Sequence, residues 1–70
     1  MIIVRTIVVS GYGVKISAKK ETFLITDPSK KIRVSPSDID QIIIVSGGVS
    51  ITSRAIRLAM KHMIDILFLD

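Results

Sequence analysis

The chain has 70 residues, of which 49% are hydrophobic and only 4% aromatic, and its formal net charge is +4. A chain of this length buries only about 60% of the surface that its unfolded form exposes, so it holds at most one small domain. It has no cysteine, which excludes disulfides and thiolate zinc sites. No apolar run approaches the ~20 residues of a membrane span, so we expect a cytoplasmic protein without membrane contact. Its high apolar content suggests that something outside these residues covers part of its surface.

The first half of the chain predicts an antiparallel meander. β-Branched content and alternation indicate strands at residues 2–9, 14–19, 22–26 and 31–35. Two glycines flank Tyr12 in the first turn, where they can take positive φ. Asp27 is expected to accept from the backbone in a type I turn that Pro28 begins. Pro36 interrupts the sheet, because it has no N–H to donate.

The second half predicts a strand–helix–strand crossover. Ile42 to Val45 is apolar without alternation, which is typical of a strand covered on both faces. A glycine turn, a short strand and a helix capped by Thr52 or Ser53 follow, and then a second apolar strand, Asp65 to Leu69. A helix between two such strands favours their parallel pairing. The fold class is therefore α+β, mostly β: an antiparallel meander followed by a crossover, in a β-rich domain with one helix.

The helix has two sides when plotted at about 100° per residue. The apolar side, which we expect to face the sheet, contains Ala55, Ile56, Ala59, Met60 and Met63. The opposite side carries a basic stripe at Arg54, Arg57 and Lys61. Leu58 falls within this stripe, either as a scattered exposed leucine, which is common, or as a candidate interface residue that contacts another domain or subunit. We interpret His62 as a helix-end residue, because it has no second metal ligand at helical spacing.

No complete active site can be assembled from these residues. Divalent metals need clustered carboxylates, but Glu21 stands alone in a charged turn. Asp38 and Asp40 lie beside a proline break, where we interpret them as turn formers. The pair Gly47-Gly48 lacks the rest of a phosphate-binding loop. We therefore predict no catalytic residue, no metal ligand and no cofactor in this segment.

Basic residues concentrate in the predicted hairpin region, which carries six of the ten lysines and arginines: Lys15, Lys19, Lys20, Lys30, Lys31 and Arg33. Alternation places four of them on the solvent face of their strands: Lys15, Lys19, Lys31 and Arg33. This face either keeps the fold soluble and protects an edge strand, or it forms a track for phosphates. Tyr12 can add a stacking platform for an unpaired base. The candidate nucleic-acid contacts are Tyr12, Lys15, Lys31 and Arg33.

Two stretches carry a family resemblance: the strand, turn and helix from Asp40 to Ala59, with its Ser-Arg-Ala-Ile-Arg-Leu-Ala helix sequence, and the closing strand from Ile64 to Leu69. They resemble the N-terminal β-domain of the CRISPR-associated integrase that inserts new spacers during adaptation. The Tyr12-Gly turn and the strands that precede Asp38 fall in the same order as in that domain. The resemblance spans nearly all 70 residues, so we expect residues 1–70 to be a single N-terminal β-domain. The apolar end at Phe68-Leu69-Asp70 also suggests a fragment of a longer chain.

The resemblance implies more than the residues show. Members of that family are homodimeric, metal-dependent DNA endonucleases and integrases of antiviral defence, and their Glu, His and Asp metal ligands lie in a C-terminal helical domain. The implied partners are a second copy, DNA and a small ferredoxin-like protein, and magnesium or manganese is expected only in the absent domain. This segment is then a non-catalytic dimerisation and DNA-positioning domain. Tyr12 stands where some relatives place an aromatic against the end of the pre-spacer duplex.

Two other hypotheses remain open. The basic hairpin favours an independent small nucleic-acid-binding β module, and the soluble-face interpretation of the same lysines favours a structural adaptor with no nucleic-acid partner.

Overall fold

The computed structural model describes residues 4–45 and 47–69. They form strands and one helix in this order: β1 (Thr6–Ser10), β2 (Val14–Lys19), β3 (Thr22–Thr26), β4 (Lys31–Val34), a 3₁₀ turn (Pro36–Asp38), β5 (Gln41–Val45), β6 (Val49–Ile51), α1 (Ser53–Lys61) and β7 (Asp65–Leu69). The prediction began the first strand at Ile2; residues 1–3 lie outside the described residues, and β1 itself starts at Thr6.

The strands form two sheets. A parallel sheet has the order β1-β5-β7, and a mixed sheet has the order β4-β3-β2-β6, in which β2, β3 and β4 are antiparallel and β6 runs parallel to β2. The predicted fold class and the parallel pairing of β5 with β7 are confirmed. The meander prediction is wrong for β1, which pairs in parallel with β5. Ile7 and Val9 extend the apolar inner face formed by Ile42 and Ile44, which explains this pairing.

The core lies where the two sheets and α1 meet, and α1 contacts β2, β3 and β7. The buried residues of this core are Val9, Val14, Ile16, Phe23, Ile25, Ile39, Ile42, Ile44, Ala55, Leu58, Ala59 and Ile64. In β2 and β3 every second side chain points inward, as the predicted alternation required.

The buried side of the helix contains Ala55 and Ala59, as predicted, but it is rotated from the predicted side toward Leu58. Leu58 is only 6% exposed, whereas Met60 is 72% exposed and Met63 and Ile56 also reach the surface. Ala55 and Ala59 lie at the centre of the buried face. The helix has apolar residues on both sides of this pair, with Leu58 on one side and Ile56, Met60 and Met63 on the other, so the sequence alone allows either flank to be buried. The structure uses the Leu58 flank, because the β2–β3 hairpin folds over it. The prediction of an exposed Leu58 is therefore wrong, and as an interface residue it has almost no surface to offer a partner.

Both ends of α1 match the predicted signals. Thr52 is the N-cap, and its hydroxyl accepts from the Ala55 N–H at 3.2 Å. His62 is the C-cap residue, as its interpretation as a helix-end residue required. Met63 then takes a left-handed φ of 57°, and the Ile64 N–H donates to the Ala59 carbonyl at 2.8 Å. This turn directs the chain into β7. In the part of the chain that the structure describes, no helix is long and apolar enough to cross a membrane.

Candidate nucleic-acid interface

Cross-strand pairing brings the predicted basic residues onto one face of the mixed sheet. Lys15 lies opposite Thr26, which lies opposite Lys31, and Arg33 lies opposite Leu24 in the next row inward. Directly opposed residues point to the same side of a sheet. We call this side the basic sheet face and define it by Lys15, Lys19, Lys31 and Arg33, all of which are exposed. The predicted shared solvent face is therefore confirmed.

The two ends of this face differ. Lys15 and Lys31 share the row at the start of β2. Lys15 is only three positions after Tyr12 along the chain. At the other end, Lys19 and Arg33 line a shallow cavity above Leu24. The positive charge therefore spans the length of the sheet, which is the arrangement that an extended polyanion needs.

Tyr12 occupies the turn between β1 and β2, where its side chain is 87% exposed. The glycines on either side take left-handed φ values of 117° and 69°, which confirms the predicted use of glycine in this turn. The turn follows the carboxyl end of β1, and the β5–β6 turn follows the carboxyl end of the neighbouring parallel strand. Tyr12 thus presents an aromatic ring to solvent at the carboxyl edge of the parallel sheet.

A second basic surface joins two elements that the sequence kept apart. A groove between α1 and the β2–β3 turn is lined by five cations, which define the basic groove: Lys19, Lys20, Arg54, Arg57 and Lys61. Leu58 forms part of its lining. The spacing of the helix stripe and the adjacent Lys19-Lys20 pair were the sequence signals for this groove. Sequence reasoning missed it because nothing local shows that the hairpin turn folds over the helix.

Glu21 is the acidic residue that lines this groove. Its carboxylate accepts from the Lys61 ammonium at 3.0 Å and lies 3.7 Å from Nε2 of His62. The hydrogen bond and charge of Lys61 lower the pKa of Glu21, with a smaller contribution from His62. The pair connects the hairpin turn to the last turn of α1 at one end of the groove.

Two other carboxylates, those of Asp40 and Asp27, accept hydrogen bonds from the backbone. Oδ2 of Asp40 accepts from the Arg5 N–H at 2.8 Å and from its Nε at 3.4 Å, and these bonds lower the pKa of Asp40. Asp27 accepts from the N–H groups of Ser29 and Lys30, which confirms its predicted turn role and lowers its pKa. Asp38 ends the 3₁₀ turn.

The described residues do not fit a metal centre. Among them, no group of three or more His, Cys, Asp or Glu side chains lies close enough together to hold an ion, although magnesium and manganese prefer several oxygen ligands. This part of the chain therefore supplies no ligand set for a metal-assisted step.

Two sheets, one helix and a cationic surface define a small α+β domain. A family model described as "CRISPR associated protein Cas1" matches residues 7–70. The chain belongs to the Cas1 family, as its resemblance indicated.

Relatives in sequence are much longer than this chain. The chain is 41% identical over 70 residues to a CRISPR-associated endonuclease Cas1 of Saccharolobus solfataricus, covering 100% of this chain and 22% of that protein. It is 34% identical over 65 residues to a CRISPR-associated endonuclease Cas1 of Archaeoglobus fulgidus, covering 91% of this chain and 19% of that protein. The chain thus spans about a fifth of the length of these relatives.

Solved structures share the fold. A casposase bound to integration product superposes with a TM-score of 0.77 at 27% identity, over 94% of this chain and 22% of the casposase. A Cas1 protein from Thermotoga maritima has a TM-score of 0.79 at 17% identity, over 93% of this chain and 20% of its own. A Cas1–DNA complex has a TM-score of 0.73 at 15% identity, over 84% and 21%. The last two similarities show the fold alone.

Proposed function

We propose that this chain is the N-terminal, non-catalytic segment of a longer Cas1 endonuclease and integrase, and that it positions DNA and contributes to a homodimer. Membership of the Cas1 family supports this proposal, as do relatives named endonucleases that are about five times longer. The similar casposase is bound to integration product, and another structure of this fold is a complex with DNA. A metal-dependent reaction with magnesium or manganese, and a small ferredoxin-like partner, belong to the longer protein in this proposal.

The observation that carries the DNA role is the basic sheet face. Lys15, Lys31 and Arg33 are exposed on one side of a sheet whose other side is core. A phosphate neutralised by such a cation releases its condensed counterions, so binding weakens as salt increases and does not depend on sequence. Strand pairing fixes the spacing of the Cα atoms that carry these cations, which suits the regular backbone of a duplex. Family membership favours this role over an independent nucleic-acid-binding module and over an adaptor without a nucleic-acid partner.

The test is the salt dependence of duplex DNA binding. The triple variant Lys15→Ala, Lys31→Ala, Arg33→Ala should lower the slope of log K against log salt by about 2.7, because each lost phosphate contact contributes about 0.9. Affinity should fall for every DNA sequence to the same extent. Fluorescence anisotropy of labelled duplexes at a series of salt concentrations measures both quantities.

The matched control removes the same charge from the basic groove, as Lys20→Ala, Arg54→Ala, Arg57→Ala. It should leave most of the salt slope in place. If the control loses the slope and the first triple variant keeps it, DNA lies in the groove and the sheet-face assignment is wrong. If both variants bind like the parent, the cations only solvate the fold and the DNA role fails.

The proposed dimer needs an apolar surface other than Leu58. The outer face of the parallel sheet supplies one through the row Val8, Ile43 and Leu67, and Val8 is 61% exposed. A second exposed apolar stripe lies on α1 at Ile56, Met60 and Met63. Monomeric proteins rarely leave wide contiguous apolar patches exposed, and this supports self-association. Sedimentation of variants that carry a new charge on one surface or the other distinguishes the two.

A further inference from the structure

Tyr12 is exposed, yet the turn that carries it packs closely against Gly48, in the Gly47-Gly48 turn that precedes β6. A Cβ atom added at Gly48 would lie 2.8 Å from the Cα atom and 2.8 Å from the Cδ1 ring atom of Tyr12, and it would also overlap the carbonyl oxygen of Gly11. Real Cβ atoms almost never come this close to a neighbour, so one of the two turns would have to shift. The edge of the Tyr12 ring therefore lies against the backbone at position 48, in a space that only glycine leaves open.

The two turns are also tied together by the backbone. The Val14 N–H, two residues after Tyr12, donates to the Gly48 carbonyl at 3.2 Å. The left-handed φ values of Gly11 and Gly13 set the bends on either side of Tyr12. The turn is therefore held by the bends at Gly11 and Gly13, by the contact of Tyr12 with Gly48 and by the Val14 hydrogen bond. Most of the Tyr12 side chain nevertheless faces solvent.

The neighbouring glycine has a different environment. A Cβ atom added at Gly47 would meet nothing within 4 Å, and neither Gly47 nor Gly48 has a left-handed φ. Replacing either glycine by alanine therefore changes backbone freedom to a similar degree. Only the replacement at Gly48 forces the Tyr12 turn to move, so Gly47 is a matched control one residue away.

We propose that Gly48 is a positioning residue for Tyr12: its missing side chain lets the β5–β6 turn close against the β1–β2 turn and hold the aromatic ring in one orientation at the surface. What the ring would do rests on the proposed DNA-positioning function: it would stack on the end of a duplex or on an unpaired base, as the sequence predicted for Tyr12. A ring that is already oriented loses less conformational entropy on stacking, and this strengthens binding.

The chain reports directly on this ring, because Tyr12 is its single tyrosine and it has no tryptophan. In the folded 70-residue chain, the anisotropy of tyrosine emission should be well above that of the same chain unfolded in urea. Gly48→Ala should lower the anisotropy and raise the acrylamide quenching of Tyr12, whereas Gly47→Ala should match the parent. Circular dichroism on the same samples shows that each variant is folded.

A parent ring that moves as freely as in the unfolded chain overturns the proposal, and this measurement needs no variant. A folded Gly48→Ala chain with unchanged anisotropy and quenching also overturns it. Should Gly48→Ala fail to fold, a parent ring with the anisotropy of the unfolded chain still overturns the proposal.

DNA separates this inference from the proposed function. A duplex with a splayed end should quench the emission of Tyr12, and Gly48→Ala should need about two- to tenfold more DNA for half-maximal quenching. If DNA leaves the emission of the parent unchanged while Gly48→Ala still frees the ring, the positioning role of Gly48 stands and the stacking role of Tyr12 fails.

Discussion

The outer faces of the two sheets have opposite chemistry. On the mixed sheet, the rows facing away from the core read Lys15, Thr26, Lys31 and then Ser17, Leu24, Arg33. On the parallel sheet, the central row reads Val8, Ile43, Leu67, and the next one reads Ser10, Val45, Leu69. The row at the amino end of this outer face, Thr6, Gln41, Asp65, is polar. The mixed sheet has one apolar face, as antiparallel pairs commonly do. The parallel sheet is apolar on its inner face and also on the central part of its outer face, which is the pattern of a sheet covered on both sides.

The difference suggests a division of partners. A face with separated cations and few apolar side chains is stable in water and attracts phosphates, so it suits DNA. On the other face, Val8, Leu67 and Leu69 are exposed. Burying these apolar side chains against another protein surface lowers the free energy, so this face suits a protein partner. In the proposed function these faces are the DNA surface and the protein surface.

The largest expected effect concerns the core that the two sheets share, and it tests which side of α1 packs against that core. Leu58→Ala should lower the free energy of unfolding by about 2–5 kcal/mol, because it leaves a cavity in the core. Met60→Ala, on the exposed side, should change it by no more than about 0.5 kcal/mol. Urea unfolding followed by circular dichroism measures both. A larger loss for Met60→Ala would mean that the helix packs with its methionine side inward.

The second test concerns the apolar face of the parallel sheet. The double variant Val8→Lys, Leu67→Lys places two charges in the central row and should weaken self-association by at least about tenfold, or 1.4 kcal/mol. Sedimentation equilibrium over a range of concentrations measures the dissociation constant.

Met60→Lys is the control for the second test, since it adds a charge to the other exposed apolar stripe. It should leave association unchanged. If only the control dissociates the dimer, the interface lies on α1 and the face comparison loses its protein half. A parent chain that stays monomeric at high concentration removes the dimer role altogether.

The elements of the fold could be predicted from the sequence because their signals are local. Alternation predicted β2 and β3, Thr52 capped the helix, and the apolar run at Ile42 was parallel to the closing strand. The partner of β1 could not be predicted in the same way. Its β-branched residues fit an antiparallel hairpin or a parallel neighbour equally well, and the choice depends on contacts with β5, some 35 positions away.

The site shows the same limit. The basic sheet face could be predicted, because alternation alone decides which side chains share a side. The basic groove could not, since it depends on how the β2–β3 turn sits over α1. The exposure predicted for Leu58 was wrong for the same reason. The β2–β3 hairpin covers this side chain, and the helix sequence alone holds no sign of that contact. The contact between Gly48 and Tyr12 likewise joins two turns that are distant in sequence.

The smallest expected effect is the pH dependence of the free energy of unfolding that comes from the Arg5–Asp40 ion pair. This pair lies at the amino end of the parallel sheet, where it connects the residue before β1 to the residue before β5. Asp40 is partly exposed, so its ion pair is weak, but its pKa is below the ordinary value of 3.8. A carboxyl whose pKa is lower in the folded state stabilises the fold above 3.8, and this contribution is lost as the pH falls through the lower folded value. Asp40→Asn should therefore be less stable than the parent at about pH 6, and the difference should shrink by about pH 3. Asp38→Asn is the matched control, because it removes the same charge two residues away and leaves the Arg5 pair intact. Urea unfolding at the two pH values measures both variants, and a difference for Asp40→Asn that does not depend on pH would show that the backbone hydrogen bond, and not the charge, holds β1 against β5.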